Sequence, residues 1–245
     1  MLHELEQIVD EKVPTTRFLI NKVDRLIHYT SMLINSFDIM KVGMDYEDYN
    51  TFRKTLTPAS GFQSAQFRFI ELHCTSLVNL ISQRFKKERS NNPDLRECFE
   101  HIYWKDAGTD PKTGKKTLTL QLFEEKYLPK LTETAKTVMG NTLEDKLDQL
   151  PYVPDALRNR LRTFDRLYNI DWPMVHLSTA EHYLGQKGEN KQATGGSDWK
   201  KYLHPKYQQR KFFPSLWTEI EKQNWVINHK NEHYGSIEQA TIDAP

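Results

Sequence analysis

Residues 48–71, DYNTFRKTLTPASGFQSAQFRFIE, constrain this chain more than any other stretch. Their apolar and aromatic side chains fall at helical spacing on either side of Thr57-Pro58-Ala59-Ser60-Gly61, where a proline and a glycine prevent one continuous helix. The stretch reads as helix, bend, helix. Such a bend lets backbone approach a ligand, because Gly61 has no side chain and Ser60 can cap the helix that follows. Arg53 stands just before the bend and Arg68 just after it. A helical hairpin with a capped second helix is also ordinary architecture, so the pattern alone leaves both uses open.

The 245 residues suffice for one sizeable all-helical domain or two small ones. Lysine and arginine number 34 against 33 acidic residues, and a net charge of +1 offers no attraction for nucleic acid or an anionic membrane. Five tryptophans within an 11% aromatic content supply rigid apolar surface for a core or for a planar ligand. Cys74 and Cys98 match no zinc or redox spacing and are too few for a disulfide framework, which predicts buried thiols in a cytoplasmic protein. The first residues carry acids from Glu4 onward without a basic or apolar leader, and no run is long enough to span a bilayer.

Taken in order, the spacing predicts a succession of amphipathic helices. Leu2, Leu5, Ile8 and Val9 share one face of a first helix that nothing before Leu2 caps. Pro14, Thr15 and Thr16 open a long helix whose stripe is Leu19, Val23, Leu26, Ile27, Leu33, Ile34 and Phe37, with His28 beside it as a hydrogen-bonded core histidine. Asp45–Leu56 is the first half of the organising stretch, and a helix from Ser60 to about Phe85 is the second. A basic run ends that helix at Arg84–Arg89, and Pro93 opens the next through about Tyr103. Residues 105–117 are turn-formers and charge, an exposed loop or short hairpin. Helical spacing returns over Thr119–Met139, where Pro129 predicts a kink or interruption, then over Asn141–Leu150 and from Pro154 to Leu184-Gly185, where Pro173 predicts a break. Residues 186–197 form a polar, glycine-bearing loop, and the polar tail of about 226–245 is exposed.

None of H-E-x-x-H, C-x-x-C, a phosphate loop or G-x-S-x-G is present, which removes the common hydrolase, zinc and nucleotide signatures. His176 and His182, six residues apart, point to different helix faces and make no two-histidine metal site. A single axial ligand needs only one histidine.

The run F-R-x-x-L-T-P-A-S-G-F-Q-S-x-Q-F-R, here Phe52 to Arg68, resembles the tryptophan 2,3-dioxygenase family, heme enzymes that open the indole ring of tryptophan. Two further blocks agree with it: Trp172 four residues before His176 on a helix ending at Gly185, and Thr194-Gly195-Gly196-Ser197 followed by Tyr202-Leu203. The resemblance implies a single all-α heme-dioxygenase domain over 1–245. It implies heme b held through iron by His176 with Trp172 beside it, and Arg53 clamping the substrate carboxylate. Tyr49 would line the indole pocket, Ser60 and Gly61 would lie over the distal face of the heme, and Thr194 would bind the amino-acid end of the substrate. L-tryptophan and dioxygen would be the substrates, N-formylkynurenine the product, and a homotetramer the assembly, with sites that borrow N-terminal residues from a neighbour.

Two departures temper the match. Family members carry a Phe-His-Gln type motif upstream of the position aligned with Met1, so the uncapped start suggests truncation or a misplaced start codon, and weak heme binding by these 245 residues alone. The run Leu177–Leu184 is less apolar than its family counterpart and lacks the arginine found there. Beside a tryptophan 2,3-dioxygenase, a related heme oxygenase for another indole or aromatic amino acid and a non-catalytic helical scaffold also fit these residues.

Overall fold

The computed structural model describes residues 1–56, 60–85, 92–184 and 210–225. Among them the fold is all-α, with no strand and only the isolated bridges Ile81–Ile102 and Thr109–Lys116. Helix α1 is Leu2–Asp10, α2 Thr16–Gly43 and α3 Tyr46–Thr55; a 3-10 turn over Gly61–Gln63 leads into α4, Ala65–Cys74. Then come α5 Leu95–Glu100, α6 Tyr103–Ala107, α7 Leu118–Val138, α8 Leu143–Asp148 and α9 Asp155–Arg166. A π-turn over Leu167–Asp171 joins α9 to α10, Trp172–Leu184, and α11 is Glu219–Gln223.

Local chemistry sets most of these boundaries. Thr15 accepts from the Phe18 amide to start α2, Asp45 from Glu47 and Asp48 to start α3, and Thr117 from Leu120 to start α7. Thr142 and Asp145 form a reciprocal capping box on α8. Met1 offers α1 no side-chain cap. The main core joins α1, α2, α4, α7, α8 and α9 through Leu5, Ile8, Leu19, Val23, Leu26, Ile70, Leu131, Leu143, Leu157 and Phe164. A smaller apolar cluster gathers around α10, where Ile170, Met174, Val175, Leu177 and Leu184 meet Ile34, Phe37, Tyr49 and Phe62.

Several expectations are corrected. The helix expected over Ser60–Phe85 is a capped 3-10 turn, α4 and two further 3-10 turns, because Thr75 and Ser76 bind the Glu144 carboxylate and extend the chain after Cys74. The next helix divides at His101–Ile102 into α5 and α6, and α6 takes Lys105–Ala107 from the expected loop, leaving a short exposed hairpin turn at 110–116. Pro129 lies inside an uninterrupted α7. His28 is exposed on α2 rather than a core residue, since it falls off the buried face on which Leu26 and Thr30 lie. Cys74 and Cys98 are buried free thiols as expected. The basic run from Lys86, the loop at 186–197 and the tail from 226 lie outside the described residues.

Pro173 does not break the chain. It lacks the N–H that would bond the Asn169 carbonyl in an α-helix, and the backbone answers by widening: the Trp172 amide bonds the Leu167 carbonyl, five residues back. One turn earlier, the buried Asp165 accepts from the amides of Phe212 (2.9 Å) and Phe213 (3.5 Å), from Trp217 Nε1 (3.0 Å) and from Asn169 Nδ2 (2.8 Å). This one carboxylate ties the 210–217 segment to the helix that feeds the π-turn. A second buried tie lies beneath it: Glu71 accepts from Arg210 at 2.9 Å and from the Tyr103 hydroxyl at 2.6 Å and pairs with Arg68, so α4, α6 and the late segment share one carboxylate.

Burial raises the Asp165 carboxyl from 3.8 to about 6 against the pull of its four donors. The folded chain therefore holds this proton more tightly than the unfolded one. The resulting stabilisation is full below about pH 4 and lost as pH rises through about 6, worth up to about 3 kcal/mol over that window. Asp165→Asn keeps the shape but turns an amide N–H toward donors; it is expected to cost about 2–4 kcal/mol in urea unfolding. The gap from wild type should be wider at pH 4.5 than at pH 7, and an equal gap at both would show that Asp165 does not titrate as described.

Candidate active site

Gly61 at the bend faces His176 on α10, and α3, which carries Tyr49 and Arg53, packs against the same helix. Asp45 holds the first turn of α3 by accepting from two amides at 2.8 Å each, which sets Tyr49 and Arg53, four residues apart, on one face of that helix. Helix α3 packs against α10 and buries none of its residues fully. Tyr49 is half-buried, its phenol pushed up by burial and only partly restrained by the Arg53 charge beside it.

Beyond the bend, Ser60 Oγ accepts from the Phe62 amide at 3.3 Å and shapes the Gly61–Gln63 turn. The turn is pinned from below, because the buried Gln63 side chain donates to the Trp104 carbonyl at 3.0 Å. That pin depends on Gly108: a Cβ there would stand 2.9 Å from Leu120 Cβ and 3.1 Å from Gln63 Nε2. Gly61 itself faces the His176 ring, and a Cβ on it would meet His176 Cε1 at 3.5 Å, an ordinary contact.

His176 stands one turn after Trp172 on α10, its ring 5.1 Å from that of Phe37. Burial alone drives its pKa from 6.5 down to about 4, so the imidazole is neutral at physiological pH. Among the described residues it has no hydrogen-bond partner. Trp172 packs on Phe67 at 4.4 Å and Tyr168 at 5.1 Å, and its buried indole N–H also lacks an acceptor among them. His182 is exposed, so the two histidines do diverge. The described residues hold no group of three or more His, Cys, Asp or Glu that could bind a metal ion, and none of their helices is long and apolar enough to cross a membrane. Thr194, with Gly185, Gly195, Gly196, Ser197, Tyr202 and Leu203, lies outside the described residues.

Arg53, Tyr49, Ser60, Gly61, Trp172 and His176 thus come from two walls: α3 with its bend, and α10. The family model for tryptophan 2,3-dioxygenase matches residues 1–150, well over half of the chain. The chain belongs to the tryptophan 2,3-dioxygenase family. Its curated relatives include the tryptophan 2,3-dioxygenase of Herpetosiphon aurantiacus, 27% identical over 229 residues that cover 89% of this chain and 80% of that protein. The corresponding protein of Bacillus thuringiensis subsp. konkukian is 26% identical over 227 residues, 89% of this chain and 76% of its own length. The family match contains Tyr49, Arg53, Ser60 and Gly61, so the dioxygenase bend is matched by the family model itself; His176 falls within the reach of the longer pairwise similarities only.

Sequence reasoning assigned Phe37 to a bundle stripe and gave Tyr183 no role. Phe37 is the last stripe residue of α2 before the helix leaves the core, and Tyr183 is seven residues, two turns, past His176 on the same face. That spacing was the available signal. Gly108→Ala is expected to destabilise the chain by about 1–3 kcal/mol through the Leu120 and Gln63 clashes, read as a lowered Tm. A neutral effect would mean that the Gln63 pin does not hold the turn.

Proposed function

We propose that this chain is a heme-dependent dioxygenase that opens the indole ring of L-tryptophan to N-formylkynurenine, the first committed chemistry of tryptophan catabolism by the kynurenine route. The observation that carries the proposal is the facing pair His176 and Gly61, a neutral imidazole without a hydrogen-bond partner among the described residues opposite the one backbone position in the bend that presents no side chain.

The residues fit heme b in their chemistry. A neutral imidazole is the protonation state an axial iron ligand requires, and the buried Trp172 N–H without an acceptor suits a porphyrin carboxylate. When bound, heme supplies the ferrous iron that activates dioxygen toward the C2–C3 bond of indole, both oxygen atoms entering the product. The protein's part is orientation. Arg53 clamps the substrate carboxylate, a task its planar, permanently charged guanidinium performs better than lysine. Tyr49, one turn earlier, walls the indole. Ser60 and Gly61 leave room over the distal face, and Thr194 binds the amino-acid end of tryptophan. Phe37 and the surrounding apolar cluster exclude water from the His176 side. A homotetrameric, cytoplasmic protein is the assembly and compartment that accompany this reading, with no role for nucleic acid or membrane.

Hemin added to the purified chain should develop a Soret band that His176→Ala abolishes. A band that survives in His176→Ala rejects the ligand assignment, and no band in wild type even at a large excess of hemin, where weak binding would still show, rejects the heme enzyme in favour of a helical scaffold. With heme loaded, Arg53→Lys is expected to raise the KM for tryptophan about ten- to a hundredfold, the worth of a two-pronged charge-assisted contact. Gly61→Ala should leave Tm near wild type, since its methyl meets His176 only at contact distance, yet reduce kcat by crowding the oxygen side. Product analysis with tryptophan against other aromatic amino acids then identifies the ring.

A further inference from the structure

The ring of Tyr183 lies on that of Tyr49 at a centroid separation of 4.1 Å and an interplanar angle of 11°, the closest-spaced and most nearly parallel ring pair among the described residues around α3 and α10. Tyr183 is fully buried, and its hydroxyl is shared between the Met40 and Met44 carbonyls at 2.9 Å each. Those carbonyls belong to the last turn and C-cap of α2, where backbone acceptors run out of helical partners. One residue on, Asp45 begins α3. A single side chain on α10 therefore closes the end of α2, sets where α3 starts, and presses flat against the first residue of α3 that faces the site.

We propose that Tyr183 is a positioning residue of the substrate pocket: by stacking on Tyr49 and anchoring the α2–α3 junction, it holds the aromatic wall against which the substrate's ring is read. The inference rests on the tryptophan-oxygenase reading above and deepens it. Helix α3 has no fully buried residue of its own, and the Tyr49 ring is held by this stack and by its packing against the α10 cluster. Without the stack, the half-buried ring would gain rotamer freedom, and binding substrate against it would cost the entropy of ordering it. Tyr183 removes this cost in advance. Because Tyr183 and His176 share one face of α10, two turns apart, the wall that reads the ring and the helix that carries the candidate iron ligand are set by one rigid element.

The test separates stacking from anchoring. Tyr183→Phe keeps the ring and loses the hydroxyl; Tyr183→Leu loses both; Tyr49→Leu removes the other half of the stack. In the heme-loaded chain, read by the tryptophan-induced Soret shift, Tyr183→Leu should weaken tryptophan binding about fivefold or more, in line with the worth of an aromatic pair. Stacking carries the effect on binding and the hydroxyl anchor the effect on stability, so Tyr183→Phe should stay within about twofold of wild type while lowering Tm. In a Tyr49→Leu background, Tyr183→Leu should have no further effect on tryptophan binding. The Soret band itself should be unchanged throughout, which a general loss of structure would not allow. A second arm needs no heme: in ring-labelled tyrosine NMR the Tyr49 signals should sit upfield through the Tyr183 ring current, move on Tyr183→Leu and persist in Tyr183→Phe, and Tyr49→Leu should shift Tyr183 reciprocally. Wild-type tryptophan affinity in folded Tyr183→Leu, or a penalty equally large with Tyr49→Leu, overturns the inference, as does a Tyr49 signal indifferent to Tyr183. Failure of wild type to bind hemin overturns the underlying enzyme reading instead, and is seen before any Tyr183 variant is compared.

Discussion

The widened turn at Leu167–Asp171 is the feature on which the site depends. An α-helix turns about 100° per residue, so one extra residue in a turn rotates everything after it by about that angle. Here that rotation decides which residues of α10 look into the bundle. Pro173 cannot donate to Asn169, and in a regular helix its ring would crowd that carbonyl; the wider turn, in which the Trp172 amide bonds Leu167, accommodates it. The outcome is that Trp172, His176 and Tyr183 reach Phe67, Gly61 and Tyr49 respectively.

A π-turn is a weak element by itself, and a buried carboxylate holds this one. Asp165 fastens the end of α9 to the 212–217 segment through four donors, one of them Asn169 inside the turn. Glu71 gathers Arg68, Arg210 and Tyr103 beneath. Neither pairing is bought cheaply, since burial works against both charges. Removing one partner leaves the other without water or a counter-group, which makes such networks intolerant of single substitutions and specific about geometry. The start of α10 is held by the Asp165 network and its length by the apolar cluster that surrounds it.

Much of this was legible in the sequence. Caps at Thr15, Asp45 and Ser60, the α2 stripe, the long α7 and the all-α class follow from spacing and turn chemistry that act within a few residues. What escaped has long-range causes. The helix expected through Phe85 ends at Cys74 because Glu144, some seventy residues on, captures Thr75 and Ser76. Pro173 reads locally as a break; only the surrounding bundle, which keeps α9 and α10 pressed against α2, makes widening cheaper than parting. His176 was found by resemblance, since a lone histidine in an apolar helix carries no local mark of a ligand. Tyr183 was missed because its partner is on a helix more than a hundred residues earlier, and no local pattern announces a stack of that kind.

The two walls of the site differ in how they are held, and that difference bears on how a planar cofactor enters. A Cβ on Gly61 would meet His176 Cε1 at 3.5 Å, so the two walls stand close, and a macrocycle of about 3.5 Å thickness entering between them, as the proposed function requires, would need one wall to give way. Helix α10 is fastened by the π-turn, Asp165 and its own apolar cluster, so moving it disturbs buried charge. The opposite wall is lighter: α3 buries nothing fully, and the 61–63 turn is held by the Ser60 cap, the Gln63 bond to Trp104 and the packing of Phe62. Displacement on cofactor entry would therefore fall on α3 and this turn, with Tyr49, stacked on Tyr183, the point about which α3 would keep its bearing.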